Sequence, residues 1–324
     1  MINQVKQYLP VVIRRAVQKA EEKIESKLLE IRLRCGRPLE LVTYSGSSFI
    51  TAEGEILECA GRAPDLERAL VPDRELLEKA VLMVTENSPY AVQDKLRKGF
   101  LTLPGGHRVG FCGRTVLEEG TITTIKDIGG INYRITREII GCAVKLLAKV
   151  YNREQKKYHS TLVVSPPMAG KTTLLRDLIR LASSGCKEKN VRGYKVGVVD
   201  ERAEIAGVYR GQPGNELGPR TDVMVDCPKA EGMIMLIRSM SPEIVAADEI
   251  GSREDVRAIK KAVNSGVTVF ATVHGSGIET LLAHPDLCPL VERKVFSRYV
   301  FLSHQEGAGT IESIKNAGGE EVIT

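Results

Sequence analysis

Hydrophobic positions follow two different rhythms along this chain, and the change between them divides it. Val12, Ile13, Val17 and Ile24 recur at helical spacing, which predicts a helix over the first ~25 residues. Leu28-Leu29-Glu30-Ile31-Arg32-Leu33-Arg34 then alternates like a half-buried strand. Gly36-Arg37-Pro38 marks a turn, and Leu39-Glu40-Leu41-Val42 begins a second strand. A further strand is expected within Phe49–Leu57. Asp73 to Thr85 returns to helical spacing at Leu76, Leu77, Ala80, Val81 and Val84. Leu101 to Phe111 reads as a hairpin turning at Pro104-Gly105-Gly106. Together these predict a small α+β module with no catalytic cluster of its own.

From Arg137 to Val150 the spacing is helical again, and Tyr151 to Ser160 is polar enough to be a surface loop. Beyond it, near-continuous apolar runs alternate with helices: Thr161–Val164, Val196–Val199, Ile244–Ala247, Val267–Thr272 and Arg298–Leu302. Strands that are apolar on both faces predict a mainly parallel α/β sheet covered by helices on both sides. The expected organisation is an N-terminal α+β domain over 1–135, a linker around 130–158, and a larger α/β domain over 136–324.

Composition narrows the partners. The 324 residues suit two domains, and 43% hydrophobic with 27% charged residues lets each bury a core. The net charge of +5 is too small to imply a nucleic-acid partner without a clustered patch. Aromatic residues are 5% and tryptophan is absent, which disfavours a base-stacking groove. Seven cysteines, at 35, 59, 112, 142, 186, 227 and 288, form no CxxC pair, so reduced thiols in a cytosolic protein are expected. Pro10 and the charges from Arg14 onward interrupt any signal-like core, and no segment approaches the ~18 apolar residues of a membrane span. Service to a membrane would then come from the cytosolic side.

The candidate chemistry lies at the ends of the apolar strands. Thr161–Val164 leads into Ser165-Pro166-Pro167-Met168-Ala169-Gly170-Lys171-Thr172-Thr173 and then a helical run from Leu174. Strand, tight loop and helix are the setting of a GxxxxGK[ST] phosphate loop, in which backbone amides and a helix N-terminus converge on an anion. Pro167, Met168, Ala169, Gly170, Lys171, Thr172 and Thr173 would line that cradle. Lys171 can reach the β- and γ-phosphates of ATP, and the Thr172 hydroxyl can ligate Mg²⁺. Ser165 stands where the pattern has its first glycine. Ile244–Ala247 ends in Asp248-Glu249, a Walker B arrangement in which Asp248 helps to hold Mg²⁺ and Glu249 orients or deprotonates water. A third strand ends in Asp200-Glu201-Arg202-Ala203-Glu204, and a fourth in His274, which could sense the γ-phosphate as a neutral imidazole.

These elements, in this order, resemble the secretion-type ATPase superfamily, which includes the motors of type II and type IV secretion and of pilus retraction. Asp200–Glu204 looks like its Asp box and Thr272-Val273-His274-Gly275 like its His box. Longer segments narrow the match. Leu103–Gly110, Asp200–Gly207, Gly218–Val223 and Arg238–Glu243 resemble the stage III sporulation protein AA family. The resemblance implies a RecA-like P-loop ATPase core, with ATP held between two domains of a cytosolic hexameric ring. It implies a role in the mother cell, docked peripherally on the membrane-channel proteins of a sporulation complex. It also implies Glu201 and Glu204 as Asp-box acids, Glu204 falling where related motors have a catalytic glutamate. A ring of this kind needs an arginine against the γ-phosphate, for which Arg220 and Arg238 are the candidates. Two other readings stay open: a nucleic-acid translocase or helicase with a RecA-like core, and a nucleotide-binding scaffold with little turnover.

Overall fold

The computed structural model describes residues 2–24, 28–43, 45–58, 66–86, 96–97, 99–136, 138–303 and 309–322. The chain folds as two compact units. The first comprises Met1–Arg137 together with Gly207–Gly214, and the second comprises Glu138–Ala206 and Asn215–Thr324. The excursion at 207–214 departs from the sequence-based division, which left it with the second domain. Gly207, Gly211, Pro213 and Gly214 punctuate the segment, but glycine and proline mark turns and do not say which unit a loop joins.

In the first unit, seven strands form one antiparallel sheet: β1 (Leu28–Arg34), β2 (Arg37–Thr43), β3 (Gly46–Ile50), β4 (Ile56–Glu58), β5 (Phe100–Thr102), β6 (Arg108–Glu118) and β7 (Thr121–Arg134). Their spatial order is β4-β3-β2-β1-β7-β6-β5. Helix Val11–Ile24 buries Ile13, Ala16, Val17 and Ala20 in the same core as Leu28, Ile31, Leu33, Leu39 and Leu41. The expected N-terminal helix is broken in two, Ile2–Lys6 and Val11–Ile24. Pro10 has no N–H to continue the first, and its carbonyl accepts from Arg14 at 2.8 Å to begin the second. The strand expected within Phe49–Leu57 is likewise two, β3 and β4, with a turn at Thr51–Gly54 between them. Helix Arg74–Val84 and the β5–β6 hairpin lie where the sequence pattern puts them, with Asp73 as the helix N-cap. The 207–214 segment is held by side chains of its own unit. Tyr209 and Arg210 both donate to the carboxylate of Glu86. Gly214 comes so near Gly105 that a Cβ on it would sit 2.8 Å from the Gly105 Cα, so a larger residue would lift the segment.

The second unit holds a seven-stranded sheet in the order β12-β11-β13-β14-β10-β15-β16. Its strands are β10 (Thr161–Ser165), β11 (Val196–Asp200), β12 (Thr221–Val225), β13 (Ile244–Ala247), β14 (Thr268–His274), β15 (Arg298–Ser303) and β16 (Thr310–Asn316). All neighbours pair in parallel except β16, which runs antiparallel to β15 at one edge. β10, β11 and β13 are buried along their whole length, and β14 up to its last residue. This matches their continuous apolar sequences. Two expectations fail in the entry to this unit. The helix predicted over Arg137–Val150 runs only from Val144 to Val150, because Gly141, at φ 93°, turns the chain before it; Arg137 itself lies outside the described residues. The polar stretch 151–160 is a short hairpin, β8 (Tyr151–Asn152) with β9 (Lys157–Tyr158). It is anchored by edge-to-face contacts among Tyr151, Tyr158 and Tyr194.

Helix Arg253–Asn264 follows β13 and fixes where Asp248 and Glu249 can lie. Its N-terminus is a reciprocal box: the Ser252 Oγ accepts from the Asp255 amide at 3.1 Å, and the Asp255 carboxylate accepts from the Ser252 and Gly251 amides, each at 3.1 Å. Ser252→Ala should cost about 1 kcal/mol of stability, seen as a lower urea midpoint with an unchanged slope. An unshifted midpoint would mean that water replaces the cap.

Candidate active site

A parallel sheet places the first loop residue after each strand along one edge, and four strands here deliver the predicted residues to it. Ser165 ends β10, Asp200 ends β11, Asp248 and Glu249 follow β13, and His274 ends β14. Because β13 lies between β11 and β14, the two acids after it are flanked by the Asp200 loop on one side and His274 on the other.

The phosphate-type loop leaves β10 and enters helix Lys171–Ser184, which has fourteen residues. Gly170 is the residue before the helix, at φ 88° and ψ 15°, a left-handed geometry that suits glycine. Met168 also has positive φ, 62°, and stands 86% exposed at the tip of the loop, while Ala169 is buried. Ser165 is fully buried, pairs with His274 in the parallel register, and accepts from the Gly275 amide at 3.1 Å. It has no positive φ, so its backbone does not demand the glycine of the usual pattern.

Lys171 is 6% exposed. Its ammonium lies 3.0 Å from Glu249 Oε1 and 3.2 Å from His274 Nε2. His274 Nε2 is in turn 3.0 Å from the same carboxylate oxygen. His274 thus bridges the ammonium and the carboxylate, its Nδ1 lying 3.5 Å from the Lys171 ammonium. The other Glu249 oxygen accepts from Arg202 at 2.6 Å. Glu249 has a left-handed backbone, φ 53°, and its amide donates to the Thr272 hydroxyl at 2.9 Å. Burial pushes the Glu249 carboxyl up, but the hydrogen bond and charge of Lys171, with Arg202 and His274, outweigh it and hold the group below its ordinary range.

Asp248 receives two hydroxyls. Thr172 Oγ1 donates to one oxygen at 2.5 Å and Thr272 Oγ1 to the other. Thr172 with Asp248 forms an all-oxygen pair beside the N-terminus of the loop helix, the donor chemistry that Mg²⁺ takes. Among the described residues no cluster of three acidic, histidine or cysteine side chains is arranged to hold a metal alone. This pair would therefore share a metal with phosphate oxygens and water.

The Asp-box acids are placed differently from one another. Glu204 lines a small cleft together with Asp248 and Glu249. Glu201 lines it too, but is ion-paired with Lys229. Asp200 is 2% exposed, and its carboxylate accepts from the amides of Glu204, Ile205 and Ala206 at 2.8, 3.1 and 2.8 Å. Burial pushes its carboxyl up despite those three bonds. The two arginine candidates lie elsewhere. Arg220 donates to the Ser183 carbonyl at 2.9 Å, in the last turn of helix Lys171–Ser184, the end opposite the loop. Arg238 is exposed in the last turn of helix Lys229–Ser239. Neither touches Lys171, Asp248 or Glu249 in this chain. Reading the sequence overlooked Arg202 and Thr272. Thr272 had a usable signal, since it lies two residues before His274 on β14 and so shares its side of the strand.

Comparisons with known proteins give the family and the fold. A family model described as sporulation stage III, protein AA matches residues 2–322. The stage III sporulation protein AA of Bacillus subtilis (strain 168) is 40% identical over 318 residues, which is 98% of this chain and 96% of that protein. Among solved structures, the Legionella pneumophila ATPase DotB matches with a TM-score of 0.55 and 16% identity, covering 90% of this chain and 76% of that one. The pilus retraction motor PilT with bound ADP matches with a TM-score of 0.54 and 16% identity, covering 90% of this chain and 78% of that one. Identities this low carry the fold alone, which is that of RecA-like secretion ATPases with a separate N-terminal sheet domain.

The Lys171–Glu249 pair makes a testable electrostatic claim. A carboxylate with a lowered pKa contributes stability that is present above its unfolded value, about 4.3, and is lost as pH falls through the lowered folded value. In a carboxyl-carbon NMR titration Glu249 should therefore titrate below the ordinary glutamate range, and in Lys171→Ala its midpoint should rise. An unmoved midpoint would remove Lys171 as its main partner.

Proposed function

This chain belongs to the sporulation stage III protein AA family, and we propose that it is a Mg²⁺-dependent ATP hydrolase working as a motor. The observation that carries this reading is the convergence of Lys171, Thr172, Asp248, Glu249 and His274 at the carboxyl ends of β10, β13 and β14, beside a glycine-led helix N-terminus. The amides after Met168 and the Lys171 ammonium receive the phosphates of ATP. Thr172 and Asp248 supply oxygens to the metal, which when bound neutralises charge developing on the phosphates.

Lys171 is engaged by Glu249. A phosphate competing for that ammonium frees the Glu249 carboxylate, lowered in pKa and so ionised at neutral pH, to orient and accept a proton from water. Glu204 faces the same cleft and assists in holding the water. His274, bridging Lys171 and Glu249, reports whether that exchange has occurred. Glu201 balances Lys229 at the rim, and Arg220 secures the loop helix from its far end. Arg238, exposed, is the candidate that remains free to reach a nucleotide held by a neighbouring copy.

Membership of this family supports a larger setting, which is part of the proposal. The protein drives assembly of, or transport through, a sporulation membrane channel between mother cell and forespore. It acts from the cytosolic face as a hexameric ring docked on the channel proteins. In this proposal the channel itself is assigned to partner proteins; no described helix of this chain is long and apolar enough to cross a membrane.

Lys171→Ala should lower steady-state ATP hydrolysis by roughly 10²-fold or more; unchanged turnover of the purified variant would remove the site. Glu249→Gln should keep nucleotide bound while slowing hydrolysis by about 10²- to 10⁴-fold, and rapid turnover there would transfer the base role to Glu204. Light scattering with ATP and Mg²⁺ should detect a larger assembly than without them. A strict monomer in both conditions would overturn the ring.

A further inference from the structure

The loop that carries Glu204 belongs to neither helix nor strand, so nothing in its own hydrogen-bond ladder holds it. Two buried side chains of opposite charge do so instead. Asp200 accepts from the amides of residues 204, 205 and 206. Arg176 donates to the carbonyls of the same segment, Nε to Ile205 at 2.8 Å and Nη2 to Glu204 at 2.5 Å. Asn215 adds a second donor to the Ile205 carbonyl at 2.9 Å.

Arg176 is 4% exposed, and its third nitrogen, Nη1, is buried with no hydrogen-bond partner among the described residues. Burying a guanidinium in this way is expensive unless it performs work that a neutral residue could not. Its position suggests what that work is. Arg176 lies one helical turn after Thr172 on the helix that starts at the phosphate-type loop. The planar fork of a guanidinium holds two donors in fixed directions toward two successive carbonyls, whereas an ammonium offers rotatable donors from a single point.

We propose that Arg176 is a positioning residue. It ties the backbone of Glu204 and Ile205 to the loop helix, so that Glu204 keeps a fixed place opposite Asp248 and Glu249. This rests on the proposed ATPase reading, in which Glu204 acts on the water. In this role Arg176 acts only through the loop, by its bonds to the Glu204 and Ile205 carbonyls. Arginine and Asp200 together leave the 204–206 peptides one geometry. Loss of the arginine leaves the segment on Asp200 and Asn215 alone, so its peptides open more often and the carboxylate swings.

Two readouts test this. In hydrogen exchange of the full chain, Arg176→Lys should speed exchange at the Glu204, Ile205 and Ala206 amides by roughly tenfold or more, the scale of one lost charge-assisted hydrogen bond, with protection of helix Lys171–Ser184 and β11 unchanged. In kinetics, the same variant should lower kcat by about 10- to 100-fold with nucleotide affinity little altered. In a Glu204→Gln background it should lower kcat no further. Losses that multiply across the two backgrounds, or faster exchange spread over the whole helix, would reduce Arg176 to a packing residue and overturn the proposal. If Arg176→Lys does not fold, Asn215→Ala carries both readouts, with smaller effects expected on the same amides and the same non-additivity with Glu204→Gln. Wild-type protein that shows no ATP turnover would defeat the hydrolase reading itself. The exchange measurement would then still decide whether the clamp exists.

Discussion

A parallel sheet buried on both faces leaves its polar chemistry almost nowhere to go except its carboxyl edge, and the second unit is organised by that constraint. β10, β11 and β13 have no exposed position. Polar side chains therefore wait until each strand ends, where backbone groups also become free to bind anions and hydroxyls. The order of strands then decides which chain ends meet. β13 lies beside both β11 and β14, and β14 beside β10, so acids 48 residues apart in Asp200 and Asp248 share one rim with Lys171.

Within that rim, charge balance is local and economical. Lys171 is nearly buried, and a buried ammonium without a partner would be costly. Glu249 and His274 supply the partner, and Arg202 balances the second oxygen of Glu249 from the solvent side. Thr272 joins the two acids: its oxygen accepts from the amide of Glu249 and its hydroxyl donates to Asp248. The charged groups of the site thus satisfy one another. Under the proposed reading, a phosphate would exchange with these bonds and so change the state of Glu249.

The loop after β11 connects this rim to the rest of the chain. It leaves the strand at Asp200, is clamped at 204–206, and runs directly into Gly207–Gly214, which belongs to the N-terminal unit. There Tyr209 and Arg210 hold to Glu86, and Gly214 packs on the Gly105 turn. The stretch that the sequence marks only as a cluster of acids is therefore also the place where the chain leaves one unit for the other and returns.

Much of this was legible in the residues. Continuous apolar runs predicted the buried parallel strands, because a strand covered on both faces has no polar period. The glycine-lysine-threonine loop and Asp248-Glu249 were visible because their backbone and ligand chemistry require particular residue types at short spacing. What escaped was set by contacts distant in sequence. The half-exposed β12 and β16 and the outer parts of β6 and β7 carry mixed polarity, so alternation did not mark them. Tyr151–Ser160 looked like a polar loop because its two tyrosines are buried by Tyr194, far along the chain. Arg220 and Arg238 looked equally able to face a phosphate, and only folding turned Arg220 toward the end of a helix. Arg176 bore no motif at all, and Thr272 stood in the His-box segment with no role of its own. The sequence by itself determined the strand–loop–helix units and the kinds of groups at their ends, since these depend on local backbone preference and periodicity. Tertiary structure decided which ends meet, because strand order and the direction of a buried side chain depend on the packing of the whole unit.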